Sequence, residues 1–260
     1  MHSVRFTAAS SSAGILERDF LVGDVPGVLW SPAAPAGRAP LVLMGHGGGL
    51  HKKTPAMAAR ARDMVTSWGY YVVAIDAPGH GDRPRSAADD RARAAMREAM
   101  TTGDHERFKT VSIDYTTALA SRAVPEWRAT LDALRELSEI GPEAPVGYGG
   151  GISMGTAIGI PLTAIEPRIT AAVFGAGFFV YEELLAAARQ ITVPVQFLVP
   201  WDDEFVTRES AFEMFDAFAT TEKTLHANPG DHRRVRWIGL DNEFLPRHLG
   251  RVTTPAARAG

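Results

Sequence analysis

The chain has 260 residues and no cysteine, with 45% hydrophobic and 22% charged residues and a formal net charge of -3. Such a composition supplies a sizeable core, and it excludes disulfides, thiolate metal sites, cysteine nucleophiles and a basic footprint for nucleic acid. No run of about 18 apolar residues marks a membrane span, and Met1-His2-Ser3-Val4-Arg5 lacks the charged-then-apolar order of a secretory signal, so the expectation is a cytoplasmic protein.

In chain order, Leu16 to Val22 and Gly27 to Trp30 read as an antiparallel lead-in. Leu41-Val42-Leu43-Met44 is an apolar strand that runs into Gly45-His46-Gly47-Gly48-Gly49. Thr54-Pro55 supplies a cap and a first-turn proline for a helix with its apolar stripe at Ala58, Ala61, Val65 and Trp68. Tyr71 to Ile75 is a buried strand ending at Asp76. From Asp82 to about Val111 the sequence is polar and rich in arginine. Ala92, Ala95, Met96, Ala99 and Met100 fall there at helical spacing, which predicts a helical surface insertion lying over the body or the site. Its Arg83, Arg85, Arg91, Arg93 and Arg97 alternate with Asp82, Asp89, Asp90 and Glu98, as on a solvated face.

Further along, Trp127, Leu131, Leu134 and Leu137 mark a helix, and Val146 to Tyr148 a strand. A helix from Met154 towards Ala164 follows, which Pro161 should kink or shorten. Between the strands at Thr170 to Phe174 and Val193 to Val199, Gly175 to Thr192 leaves room for a small lid above a relatively open pocket. Ala211, Phe212, Phe215 and Phe218 form a last helical stripe, read as core, before a strand at Lys223 to Ala227. Apolar strands alternating with helical patterns predict an α/β architecture, a mostly parallel central sheet with helices on both faces, as a single domain over residues 1–260.

The chemistry concentrates at strand ends. Gly151-Ile152-Ser153-Met154-Gly155 places a serine at a sharp strand-to-helix turn, where the residues two positions away must be small. A serine hydroxyl needs a base to take its proton and an acid to orient that base. His232, in the turn after the last strand, is the candidate base; His226 lies within the strand and His248 near the C-terminus. Asp203 is preferred to Asp202 as the acid, and Asp76 precedes the serine in the chain. The His-Gly-Gly-Gly loop suits an oxyanion hole, with the N–H of Gly48, or alternatively Gly47, acting beside that of Met154. His51-Lys52-Lys53-Thr54 does not match a phosphate loop. His46, His51 and His80 lack a carboxylate at metal-binding spacing; His46 is expected to brace the oxyanion loop and His80 to belong to a tight turn. Leu50, Met154, Phe178, Phe179, Trp201 and Phe205 are expected around an apolar pocket.

The order Ser153, Asp203, His232, together with Asp76-Ala77-Pro78-Gly79-His80-Gly81 and Gly230-Asp231-His232, resembles the α/β-hydrolase superfamily over about Phe20 to Leu249. It is most similar to the bacterial esterase and dienelactone-hydrolase-like branches. The resemblance implies the α/β-hydrolase fold and a serine hydrolase that cleaves small to medium carboxylic esters or lactones through an acyl-enzyme, with no metal or organic cofactor. A small-molecule ester is the implied partner; no nucleic acid or membrane is expected, and the oligomeric state stays open, a homodimer being one option. Thioesterase, carbon-carbon hydrolase, acyltransferase or perhydrolase chemistry, and a non-catalytic ligand-binding protein of the same fold, are the alternatives. Two departures stand out: Gly149 to Gly151 replaces bulkier residues and could loosen the strand end or enlarge the pocket, and Asp231 puts a further carboxylate beside His232.

Overall fold

The computed structural model describes residues 3–35 and 37–251. Its strands are β1 (Val4–Ser12), β2 (Ile15–Val22), β3 (Val25–Pro32), β4 (Leu41–Leu43), β5 (Tyr71–Ile75), β6 (Val146–Ile152), β7 (Ile169–Gly175), β8 (Val195–Pro200) and β9 (Lys223–Asn228). Its helices are α1 (Pro55–Trp68), α2 (Ala87–Thr102), α3 (His105–Arg135), α4 (Met154–Ile165), α5 (Glu182–Ala188), α6 (Arg208–Ala217) and α7 (Phe244–Leu249). All nine described strands share one sheet in the order β1-β2-β3-β5-β4-β6-β7-β8-β9. The lead-in pairs are antiparallel as far as β5, and every pair from β5 through β9 is parallel.

Two cores explain the continuous apolar runs. In β5, Tyr71, Val73 and Ile75 point to the face carrying α3, α4, α5 and α6, whereas Val72 and Ala74 point to the face carrying α1 and α7. A strand buried on both faces has no polar alternation, which is why its sequence reads as an unbroken hydrophobic segment. On α1, Thr54 is the N-cap and Pro55 the first helical residue, and Gly69 closes the helix at φ 73. Met57, Ala61, Met64, Val65 and Trp68 form its buried stripe, so Ala58 lies at the margin.

Several elements differ from their sequence reading. β1 escapes pattern analysis because its Ser- and Ala-rich residues are exposed on both faces; it exists through its register with β2 and a two-residue turn at Ala13 and Gly14, both with positive φ. The helix marked by Trp127 to Leu137 is the end of a 31-residue α3 that continues through Pro125, and α4 likewise continues through Pro161. On α6 the expected stripe is core except at Phe212, which is 48% exposed: Ala211 and Met214 are buried, Phe215 packs against the core, and Phe218, just past the helix, is fully buried. His248 sits on α7, whose Leu245 and Leu249 are buried against the sheet.

The glycines of β6 admit close neighbours. A Cβ at Gly147 would meet Leu249 Cδ1 at 2.7 Å, one at Gly149 would meet Val42 Cγ1 at 2.8 Å, and one at Gly151 would meet the Gly45 carbonyl oxygen at 2.4 Å. At these three positions the space is filled by β4, the loop that follows it, and α7.

Candidate active site

Ser153 stands between β6 and α4 with φ 70 and ψ -123, a left-handed backbone that L-residues with a side chain rarely adopt. The surrounding backbone holds it there. Gly151 N–H donates to the Gly45 carbonyl (2.9 Å), Thr156 Oγ1 donates to the Gly151 carbonyl (2.6 Å), and Gly175 N–H donates to Thr156 Oγ1 (3.0 Å). Tyr148 Oη donates to the Gly155 carbonyl (2.5 Å), and a Cβ at Gly155 would lie 2.7 Å from Gly45. Thr156 and Tyr148 are supports that the Gly-x-Ser-x-Gly pattern does not announce.

Asp203 follows β8 and His232 follows β9, and the two side chains meet. His232 Nδ1 lies 2.6 Å from Asp203 Oδ2, which also accepts the His232 backbone N–H at 2.7 Å. Asp203 Oδ1 accepts from Phe205 N–H at 2.9 Å and Val206 N–H at 3.3 Å. Burial pulls the Asp203 carboxyl upward, but the hydrogen bonds from His232 and from these backbone donors outweigh it and hold the pKa below the ordinary carboxylate value. Asp202 serves the loop instead: its N–H donates to the Gly230 carbonyl, and its Oδ2 accepts Gly230 N–H at 2.9 Å. Asp231 Oδ1 accepts Arg233 N–H at 2.8 Å, so its carboxylate is turned into its own turn.

The imidazole of His232 packs on the Phe205 ring at 5.2 Å and beside Gly177, at φ +118, where a Cβ would fall 2.6 Å from His232 Cβ. Ile152, next to Ser153, crowds the same glycine at 3.0 Å. Gly177 therefore joins the serine turn to the histidine loop. Among the described residues the imidazole hydrogen-bonds to Asp203 and not to Ser153 Oγ.

The glycine loop after β4 forms a tight turn in which Leu50 N–H donates to the Gly47 carbonyl and Gly49 takes φ 74. His46 braces it. Ala77 N–H donates to His46 Nε2 at 3.0 Å, which leaves the ring proton on Nδ1 for the Gly47 carbonyl, also at 3.0 Å. Burial lowers the His46 pKa and keeps that tautomer neutral. Met154 N–H is the first of α4 and belongs to the donors that a helix leaves without an internal acceptor.

Ser153, Met154 and Gly48 line a cavity of about 230 Å³ together with Phe178, Phe179 and Phe205. Gly47 and Leu50 lie off its wall, Leu50 facing a neighbouring cleft with His80; Trp201 packs against Phe212 and the Arg208 guanidinium. Much of the remaining wall comes from Arg93 and Met96 on α2 and Phe108, Ser112, Ile113, Tyr115 and Thr116 on α3, with Gly49, His80, Ala157, Gly177 and Tyr181 completing it. The cover is accordingly shared between α2, α3 and the segment joining β7 to β8, which contributes Gly177, Phe178, Phe179 and Tyr181, and the pocket stays partly open to solvent. Phe108, Phe179 and Phe205 pack mutually within 6 Å, closing one end.

The remaining candidates lie elsewhere. Asp76 is fully buried and accepts from Lys52 Nζ (2.6 Å), Lys52 N–H (2.8 Å) and Asp82 N–H (3.0 Å), which occupies it structurally. His226 pairs with Asn228, and His248 faces Glu222. Among the described residues no cluster of three His, Cys, Asp or Glu could hold a metal ion, and no helix is long and apolar enough to cross a membrane.

A mixed sheet clad by helices on both faces, with a strained serine between a parallel strand and its helix, defines the α/β-hydrolase fold. The chain is similar to a cold-adapted esterase from an Arctic intertidal metagenomic library, solved as a PEG-bound complex: identity is 32%, TM-score 0.68, and the match covers 89% of this chain and 92% of that one. With that identity over that span, the chain belongs to the same esterase family of the α/β-hydrolase fold and is a carboxylic ester hydrolase. The fold is shared with acetyl xylan esterase 1 of Thermoanaerobacterium sp. JW/SL YS485 at 13% identity and TM-score 0.65, covering 91% of this chain and 84% of that one. It is shared also with a protein assigned as a dienelactone hydrolase from Klebsiella pneumoniae, at 15% identity and TM-score 0.60, covering 80% and 81%. No protein-family model matches the chain, and no curated protein does.

Proposed function

We propose that Ser153, His232 and Asp203 hydrolyse small carboxylic esters through an acyl-enzyme. The observation that carries this reading is the 2.6 Å contact of Asp203 Oδ2 with His232 Nδ1, set beside a serine at φ 70. Asp203 fixes the tautomer with the proton on Nδ1, which leaves Nε2 free to take the Ser153 proton as Oγ attacks the carbonyl carbon. Negative charge then grows on the carbonyl oxygen, where the N–H groups of Met154 and Gly48 stabilise it. His232 returns the proton to the departing alcohol, and water releases the acid by the same route. A cavity of about 230 Å³ is smaller than the usual small-molecule site of about 300 Å³ or more, which favours short acyl groups.

The test is a panel of short p-nitrophenyl esters, thioesters and lactones with Ser153→Ala as control. The expected result is ester turnover that Ser153→Ala abolishes while circular dichroism stays unchanged, with stoichiometric labelling of Ser153 by a fluorophosphonate. Wild-type turnover in Ser153→Ala would overturn the assignment.

A further inference from the structure

Arg93 carries a charge that nothing in the cavity balances. Its Nη2 meets His80 Nε2 at 2.7 Å and donates to Tyr115 Oη at 3.3 Å. His80 Nδ1 lies 3.0 Å from the Pro78 carbonyl, so the ring proton sits on Nδ1 and Nε2 accepts from the guanidinium. Burial pushes the His80 pKa down to about 4, and the ring is neutral at pH 7. Both groups that hold Arg93 are thus uncharged. The nearby acids are engaged elsewhere, Asp89 with Arg122 at 2.7 Å and Asp90 with Arg85 at 3.0 Å. Among the described residues no carboxylate forms an ion pair with the Arg93 guanidinium.

A second, larger cleft shows the opposite arrangement. That cleft, about 810 Å³ between the lead-in strands and the start of α2, contains Lys52, Lys53, Arg83 and Arg122. Each of those cations has a carboxylate partner, respectively Asp76, Asp19, Glu126 and Asp89. Arg93 instead stands on the wall of the cavity that holds Ser153, and Ser112 Oγ on the same wall is buried without a hydrogen-bond partner, as is Arg93 Nε. A guanidinium fixed by neutral groups is preorganised for a planar anion.

We infer that Arg93 is a specificity residue that binds the free carboxylate of a hemiester, the monoester of a short dicarboxylic acid, while its ester carbonyl lies at Ser153. The inference rests on the proposed role of Ser153. In the reaction Ser153 Oγ bonds to the ester carbon, the carbon-oxygen bond to the alcohol breaks, and the alcohol leaves with the proton that His232 took from the serine. Water then attacks the acyl-enzyme and yields the dicarboxylic acid and the free serine.

The test compares monoethyl glutarate with ethyl valerate, in which a methyl group replaces the carboxylate, for wild type, Arg93→Gln and Arg93→Lys. Wild type should favour the hemiester in kcat/KM, and Arg93→Gln should cut the hemiester-to-valerate ratio by about tenfold to a hundredfold, the usual effect of losing a charged hydrogen-bond partner. Arg93→Lys should restore part of the ratio. A wild-type preference for ethyl valerate, or equal losses on both esters in Arg93→Gln, would overturn the inference while leaving Ser153 chemistry intact. Should neither ester turn over and no fluorophosphonate label Ser153, the reading of Ser153 fails by itself. Calorimetric binding of glutarate to Ser153→Ala, with and without Arg93→Gln, then decides: Arg93-dependent binding supports the anion site, and its absence ends it.

Discussion

Gly177 shows how one residue couples two parts of the site. Its positive φ and the 2.6 Å approach that a Cβ would make to His232 leave no position for a methyl group without moving the imidazole or the Ile152 side chain. Because a displacement of about 1 Å at a reacting group costs on the order of a hundredfold, Gly177→Ala should lower kcat/KM for a short p-nitrophenyl ester by about that factor, with KM changed less than kcat. An unaltered steady-state profile would show that the loop tolerates the shift. Gly81 is constrained in a different way: at φ +56, a Cβ there would overlap the Asp76 carboxylate at 2.2 Å. The serine turn was legible in the sequence because its glycines sit at fixed offsets from Ser153. Thr156 and Gly177 were not, since a threonine within a helix and a glycine in a loop are commonplace and take on a role only when folding carries them to the serine turn.

At the scale of elements, the α2 and α3 pair supplies much of the cavity wall. Ser86 caps α2 in a reciprocal box, its hydroxyl accepting Asp89 N–H while Asp89 accepts Ser86 N–H. Loss of such a cap costs about 1 kcal/mol, so Ser86→Ala should lower stability by that amount in urea unfolding. Hydrogen exchange should rise first in Ala87–Thr102; protection unchanged there would mean that α2 is held by its packing alone. Strands such as β5 were readable because burial on both faces leaves a continuous apolar run. The first half of α3 was not, because Phe108, Ser112, Tyr115 and Thr116 face a cavity rather than a core and so break the stripe. The pocket wall escaped sequence reading for the same reason, whereas Met96, at helical spacing in the insertion, was visible without its destination.

Across the whole molecule, buried or paired carboxylates tie the lead-in, the insertion and the central sheet together. Burial raises the Asp89 pKa, but the Arg122 and Ser86 hydrogen bonds bring it to about 2 from an ordinary 3.8, and Asp76 and Asp203 are lowered by their own donors. A carboxyl with a depressed folded-state pKa adds stability that is complete above the unfolded value and is lost as pH falls through the folded one. Stability should therefore be flat from pH 7 to about 5 with respect to these groups and fall between about pH 4 and 2. Asp89→Asn should flatten that fall, as measured by denaturant midpoints at stepped pH; an unchanged slope would assign acid unfolding to other groups. Lys52 acts at the opposite end: burial lowers its pKa, yet Asp76 and Asp82 raise it above 10.5, so its contribution holds below that value and disappears as alkali passes the raised one.

The outer ribbon has a consequence of its own. With β1 exposed at every residue but Val4, burial gives little preference between one alignment on β2 and the next, and beyond Val4 on the core and Arg18 over the Phe6 ring the two residues Ala13 and Gly14 set it. Lengthening that connection by a single residue would let the edge slide and offer unpaired backbone groups to another molecule, so clumping in solution would change before turnover at the far strands did.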